Sequence, residues 1–340
     1  MTADLFQQLL ANPDFLKRES IQSVTPIETI ETHISYVILT ETWAYKIKKT
    51  LRLPFLDFST VALRKYYCQQ ELRLNQRLAP QMYRSVLPIK KQQNYLFVGE
   101  GEGHAMDYAL KMRRMDNALE MDKMLLAGKV QNSHITGLAQ QIADFHRMAT
   151  VVRPNYSVTY YQNLFNSIGE WRTYFEHHLG EAFGTIIQRA IAASDQYLTG
   201  HIDLLRQRSE QGLVRDVHGD LHSKNIFLTT PPTVFDCIEF DEKLRQIDLL
   251  NEVAFLSMDL DFWHQEPLAQ LFHEAYMNYL STAGTEDVEN INLFTYFKLY
   301  RASVRAKVLG LQAQETTWSP LLKSEVKRYL HLMERYLSQL

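Results

Sequence analysis

The sequence predicts an α+β fold in two parts: a small lobe of strands and helix ending near residue 113, then a larger, mainly helical lobe over 114–340. Three observations lead there. Apolar residues alternate with period two in short runs through the first third, and recur at helical spacing through most of the remainder. One long non-helical stretch, Val214 to Asp241, interrupts the helical part. The 340 residues suit two lobes, at about 100–200 residues per domain. With 46% apolar and 22% charged residues, the chain can bury a sizeable core and stands apart from disordered sequences.

Charge and punctuation exclude several classes. Lys plus Arg is 36 against 39 for Asp plus Glu, so a protein that coats nucleic acid is not expected. The start, MTADLFQQLL, has Asp4 where a secretory signal carries basic residues, and no long apolar core follows. No run of about 18 apolar residues suggests a membrane span. Cys68 and Cys237 have no CxxC spacing, which is expected of two thiols in a reducing cytoplasm.

Each element has its own signal. Leu5, Leu9 and Leu10 predict a first helix ended by Pro13. Strands are expected at Pro26 to Ile30, at Tyr36 to Leu39, and at Trp43 to Lys48, the last two forming an antiparallel hairpin. Period two puts Ala44, Lys46 and Lys48 on one face, with Trp43, Tyr45 and Ile47 on the other. Helical spacing runs from Thr60 to about Leu78, with Glu71 on or near its inner surface and Pro80 closing it. Strands at Val86 to Ile89, Tyr95 to Val98 and Asp107 to Met112 complete the lobe, with a turn at Gly101-Glu102-Gly103. Beyond them, helices are expected at Asp116 to Leu126, after a cap at Ser133, twice within Tyr156 to Tyr197, and at Ile202 to Leu213. Four more follow at Leu249 to Leu260, Leu268 to Leu280, Phe294 to Leu311 and Leu321 to Leu337.

The chemistry concentrates in VHGDLHSKNIFL, residues 217–228, and VFDCIEFD, residues 234–241. Thr229-Thr230-Pro231-Pro232-Thr233 separates two apolar runs, so this reads as a small hairpin. Asn225 enters its first strand and Asp236 leaves its second, which places both at one open end, with Asp220 in the loop just before. Oxygen ligands of this kind suit Mg2+. The His218-x-x-x-His222 spacing does not suit zinc, because Gly219 removes the helix that would align the pair.

HGDLHSKN, with FD ending the next strand, resembles the aminoglycoside phosphotransferase family of the protein-kinase-like fold. THISYVIL, AYKIKK, LDFST, QELRLNQRLAP and FDCIEFD…LRQIDLLNEVAFLSMDL are similar to an uncharacterised bacterial branch of it. The resemblance implies a bilobal fold with ATP in the cleft. It implies Asp220 as the catalytic base, Asn225 and Asp236 as Mg2+ ligands, and Lys46, partnered by Glu71, as the α/β-phosphate contact. Lys48 shares that face and is the second choice. No glycine-rich loop is present, so Thr32 and Ser35 are expected to donate to phosphate, with backbone groups of Lys111 or Arg113 reading the adenine edge. The resemblance further implies a supporting role for His218 and a loop-bracing role for Asp248 beside Arg245. His146 is expected to be packed.

Together these imply a cytoplasmic, Mg-ATP-dependent kinase acting on a hydroxyl of a small molecule, with no nucleic acid or membrane partner. Residues 156–200 and 259–285 are expected to line the acceptor pocket. Asp259, Asp261, Glu239 and Asp241 would favour a cationic or polyol acceptor. Two alternatives stay open: a protein kinase, against which stands the lack of an Ala-Pro-Glu element, and a non-catalytic nucleotide-binding scaffold.

Overall fold

The computed structural model describes the chain apart from residues 20–26, 54–55, 155–156 and 281–287, with backbone alone at Arg18 and Val288. In chain order its principal elements are α1 (Ala3–Leu10), β1 (Glu28–Glu31), β2 (Ser35–Leu39), β3 (Trp43–Lys48), β4 (Arg52–Leu53), β5 (Leu56–Asp57) and α2 (Val61–Asn75). Then come β6 (Tyr83–Gln92), β7 (Tyr95–Val98), β8 (His104–Arg113), α3 (Met121–Leu126), α4 (Asn132–Met148), α5 (Val158–Asn166), α6 (Arg172–Leu179) and α7 (Glu181–Glu210). The remainder is β9 (Val214–Asp216), β10 (Ile226–Phe227), β11 (Thr233–Val234), β12 (Gln246–Asp248), α8 (Leu249–Phe262), α9 (Glu266–Leu280), α10 (Val288–Glu315) and α11 (Pro320–Leu337). Of the expected segments, Pro26, Tyr156 and residues 281–285 lie outside the described residues.

Two compact units result: Met1–Lys123 with Asn225–Glu242, and Met124–Lys224 with Lys243–Leu340. The expected boundary near Arg113 thus differs from the compact division. Leu228 N donates to Leu119 O at 2.8 Å, so the β10–β11 hairpin and the segment after β8 fold with the first unit.

The first unit is built on a six-stranded sheet of order β1-β2-β3-β8-β6-β7, whose paired strands are all antiparallel. Alternation along β3 buries Tyr45 and Ile47 with Phe6, Leu9, Ile89 and Val98 on one side. Ala44 faces the other, with Leu110, Met112 and Tyr83. Helix α2 starts at Thr60, whose Oγ1 accepts from Leu63 N.

The second unit is helical. Phe175, Ile187, Phe255, Met258, Tyr329 and Met333 belong to its main core. The helix expected from Ile202 follows a break within α7: His201 has non-helical angles (φ −122°, ψ 16°), so Glu181–Glu210 is two helices joined at a kink. Gln131, not Ser133, occupies the N-cap of α4, and Asp116 to Leu126 divides into a 3-10 turn and α3. Among the described residues no helix is long and apolar enough to cross a membrane.

Candidate functional site

In the first unit β3, α2 and the segment after β11 meet in a chain of charges. Lys46 Nζ lies 2.8 Å from Glu71 Oε1 and 2.6 Å from Asp236 Oδ1. Lys48 Nζ lies 2.6 Å from the other oxygen of Glu71 and 2.5 Å from Glu239 Oε1, with its ammonium 4.7 Å from the Phe58 ring centroid. The two lysines differ in exposure: the Lys46 side chain is 14% exposed and Lys48 1%. Burial alone would pull the Lys46 ammonium down, but Asp236 and Glu71 outweigh it and hold the group well above its ordinary value. Burial likewise pushes Glu71 up, and the two lysines reverse this and leave its carboxyl low. Glu239, with Lys48 as its ion-pair partner and Glu71 adding repulsion, is raised by burial.

Asp236 is presented by an uncommon backbone. Its φ is 63°, in the left-handed region, and the turn is secured on both sides: Asp236 N donates to Tyr83 Oη at 3.2 Å, and Cys237 N to Asn75 Oδ1 at 2.9 Å. Asn75 Nδ2 in turn donates to Glu71 O, so one residue at the end of α2 ties the helix to the Asp236 turn. The hairpin registers Ile226 opposite Val234, and Phe235 N donates to Asn225 O at 3.0 Å. Asn225 is thereby set against the residue just before Asp236. The Asp236 side chain is 42% exposed, and carboxylate and amide oxygens such as those of Asp236 and Asn225 are of the hard-donor type that suits Mg2+.

The remaining residues expected near a nucleotide fall differently. Thr32 Oγ1 accepts from Ser35 N at 3.0 Å and donates to Ser35 O at 3.1 Å, closing the turn between β1 and β2. Ser35 is buried, and among the described residues its Oγ has no partner. Lys111 is mid-strand, opposite Tyr45 on one side and Ser85 on the other. Its backbone groups therefore face neighbouring strands and cannot read a base edge, and its Nζ binds Glu19 at 2.7 Å. Arg113 N is taken by Met82 O and Arg114 N by Thr42 O. A segment free of the sheet ladder begins only at Met115, which packs with Val37, Leu119 and Phe235 at the margin of the Ala44 cluster.

In the second unit β9 pairs with β12, and the chain continues into the 218–224 loop. Gly219 has φ 86°, and a Cβ there would lie 2.9 Å from Leu244 O, so the turn needs glycine. Glu252 Oε1 accepts from His218 N at 2.8 Å and its Oε2 from Gly219 N at 3.0 Å. Asp259 Oδ2 accepts from Ser223 N at 2.8 Å, and Arg301 Nη1 donates to Gly219 O at 3.1 Å. Burial pushes the Glu252 carboxyl up to about 7 despite Arg301 and those two amides. His218 is fully buried, and its Nδ1 accepts from Asp220 N at 3.3 Å.

Asp220 projects from this loop with its side chain 33% exposed, 3.3 Å from His222 Nε2. Burial pushes its carboxyl up, but His222 and, more weakly, Arg305 and His218 outweigh it and hold Asp220 well below the usual carboxylate range. Asp248 does not brace this loop. It caps α8 through Leu250 N and takes a bidentate ion pair from Arg208 at 2.7 and 2.8 Å. The brace is Glu252, one turn further along the helix. Arg245 pairs with Asp216 at 3.1 Å. His146 is packed, with Nδ1 2.8 Å from Tyr276 Oη.

No family model matches the chain. An uncharacterised protein of Mycobacterium tuberculosis and its counterpart in Mycobacterium bovis are 30% identical over 287 residues, covering 83% of this chain. The chain spans about half (54%) of the length of these curated relatives. Among solved structures, a choline/ethanolamine kinase family protein from Mesorhizobium loti aligns over 98% of this chain and 96% of its own, with 10% identity and a TM-score of 0.53. Choline kinase from Cryptosporidium parvum aligns over 92% and 90%, with 11% identity and a TM-score of 0.53. Ethanolamine kinase from Plasmodium vivax covers 95% of this chain and 86% of its own, with 12% identity and a TM-score of 0.50. The chain therefore has the α+β, protein-kinase-like fold that the HGDLHSKN resemblance implied.

Proposed function

We propose that this protein is an ATP-dependent phosphotransferase acting on a hydroxyl of a small molecule. The observation that carries the reading is Lys46, an ammonium held by Glu71 and reaching Asp236 on the same face as the small Ala44. In this fold such a lysine, presented beside an apolar slot, suits a nucleotide's phosphates. Ala44, Val37, Met115 and Phe235 would border the base.

Asp220 is ionised and partly exposed. It would orient the acceptor hydroxyl and take its proton as the new oxygen–phosphorus bond forms. The bond from the γ-phosphorus to the β–γ bridging oxygen breaks in the same step, and ADP leaves. Asn225 and Asp236 would hold Mg2+, whose charge neutralises the phosphates when bound. Glu252, Asp259 and Arg301 fix the loop that carries Asp220, so little reorganisation is left for the reaction. The chain between Asp236 and α8 holds only a short 3-10 turn, Glu242–Leu244, and β12. That leaves no extended platform for a peptide and favours a small acceptor.

The test is calorimetric titration with Mg-ATP, followed by incubation with a metabolite extract and mass-spectrometric detection of ATP-dependent phosphorylated products. Saturable ATP binding and a new phosphorylated compound are expected. Absence of ATP binding would overturn the reading.

A further inference from the structure

Three of the acids expected to attract a cationic acceptor, Asp261, Glu239 and Asp259, are already engaged. Asp261 accepts ion pairs from Lys298 at 2.5 Å and Arg335 at 3.1 Å, and a hydrogen bond from Tyr336 Oη. Glu239 is neutralised by Lys48, and Asp259 holds Ser223 N. The charged groups of the second unit that keep unused hydrogen-bond donors have the opposite sign.

Arg301 and Arg305 lie one turn apart on α10 and so share a face. Arg301 is buried, with its guanidinium 4.6 Å from the Phe255 ring centroid. It donates to Asn251 Oδ1 at 2.7 Å and to Gly219 O at 3.1 Å, while its Nη2 is buried without a partner among the described residues. Arg305 stands over the Tyr329 ring at 5.8 Å, and its Nε is likewise buried and unpartnered. Among the described residues neither guanidinium is within ion-pair distance of a carboxylate. Both lie at the Asp220 loop: Arg301 touches the residue before Asp220, and the Tyr329 ring beneath Arg305 reaches Asp259, which holds Ser223. A buried guanidinium and a half-buried one, each with a buried N–H left unused, are costly to keep. A ligand anion would satisfy both, and a guanidinium's fork of donors matches carboxylate and phosphate oxygens.

We propose that the phosphoryl acceptor is an alcohol bearing an anionic group, carboxylate or phosphate, and that Arg305, assisted by Arg301, binds that group beside Asp220. This rests on the phosphotransferase reading above.

The experiment incubates the full chain and γ-labelled Mg-ATP with three pools of compounds: hydroxy acids and sugar phosphates, uncharged polyols and sugars, and amino alcohols with aminoglycosides. Label should enter the first pool. For the acceptor isolated from it, Arg305→Gln should raise KM by about 10- to 100-fold, the scale of a lost hydrogen bond to a charged group, with kcat and the KM for ATP little changed. Arg305→Lys, which retains charge, should recover part of the loss. Label confined to either other pool, no label in the anionic pool, or an unchanged acceptor KM in Arg305→Gln overturns the proposal. ATP binding measured on the same protein separates the two readings. Label in a wrong pool sinks only this inference, and loss of ATP binding sinks the phosphotransferase reading as well.

Discussion

Replacing Lys48 with methionine should cost stability, whereas replacing Lys46 should cost nucleotide affinity. The Lys48 ammonium is 1% exposed, between Glu71 and Glu239, whose side chains are 0% and 5% exposed. Removing one partner of such a buried pair typically costs about 3–5 kcal/mol. Lys46 still faces Glu71 in this variant, and Glu239, already raised by burial, can take up a proton. These two reliefs place Lys48→Met near the lower end, about 3 kcal/mol. Lys46 pairs with Asp236, whose side chain is 42% exposed, so solvent screening limits that pair to about 1 kcal/mol or less, and its other partner, Glu71, keeps Lys48 when Lys46 is replaced. A phosphate contact from Lys46 is a charge-assisted bond of about 1.5–3 kcal/mol, or roughly 10- to 100-fold in affinity. Urea denaturation and Mg-ATP calorimetry on both variants measure the two quantities. A Lys48→Met protein destabilised by less than about 1 kcal/mol, or one losing more ATP affinity than Lys46→Met, would refute the division of labour.

Glu252 carries a pH signature. Its folded pKa of about 7 lies above the ordinary 4.5, so the folded state binds the extra proton and wild-type stability should fall by up to about 3 kcal/mol as pH rises through that window. Glu252→Gln lacks this titration, and a wild-type-minus-variant difference in unfolding free energy that stays constant from pH 5 to 8 would contradict it. Asp236→Asn should move the Mg2+ midpoint of phosphoryl transfer upward by at least about 10-fold, since Mg2+ prefers carboxylate oxygen; an unmoved midpoint in a Mg2+ titration would count against the ligand assignment.

Much of the candidate site was legible because short-range patterns determine it. The alternation in Trp43–Lys48 aligned Ala44, Lys46 and Lys48, and helical spacing brought Glu71 to meet them. Period two could not rank the two lysines, because they share a face and even a partner; only the depth of burial separates them. The loop brace was misplaced for a similar reason. Asp248 and Glu252 are one turn apart, and which of them meets the His218–Gly219 amides depends on how α8 enters the core. The end of β8 at Arg113 was legible, whereas the compact division also takes in residues 114–123, which fold with the first unit through contacts such as Leu228 N with Leu119 O. Arg301 and Arg305 went unnoticed because arginines on a long helix ordinarily read as its solvated face.

The most direct test of the central claim uses Asp220→Asn, which keeps the side chain's size while losing its carboxylate. A positioned base typically contributes about 100- to 10,000-fold, whereas Lys46, Asn225 and Asp236 are untouched by the change. Turnover of the identified acceptor should therefore fall by that factor, with Mg-ATP affinity within about twofold of wild type. Wild-type turnover in Asp220→Asn would contradict the account.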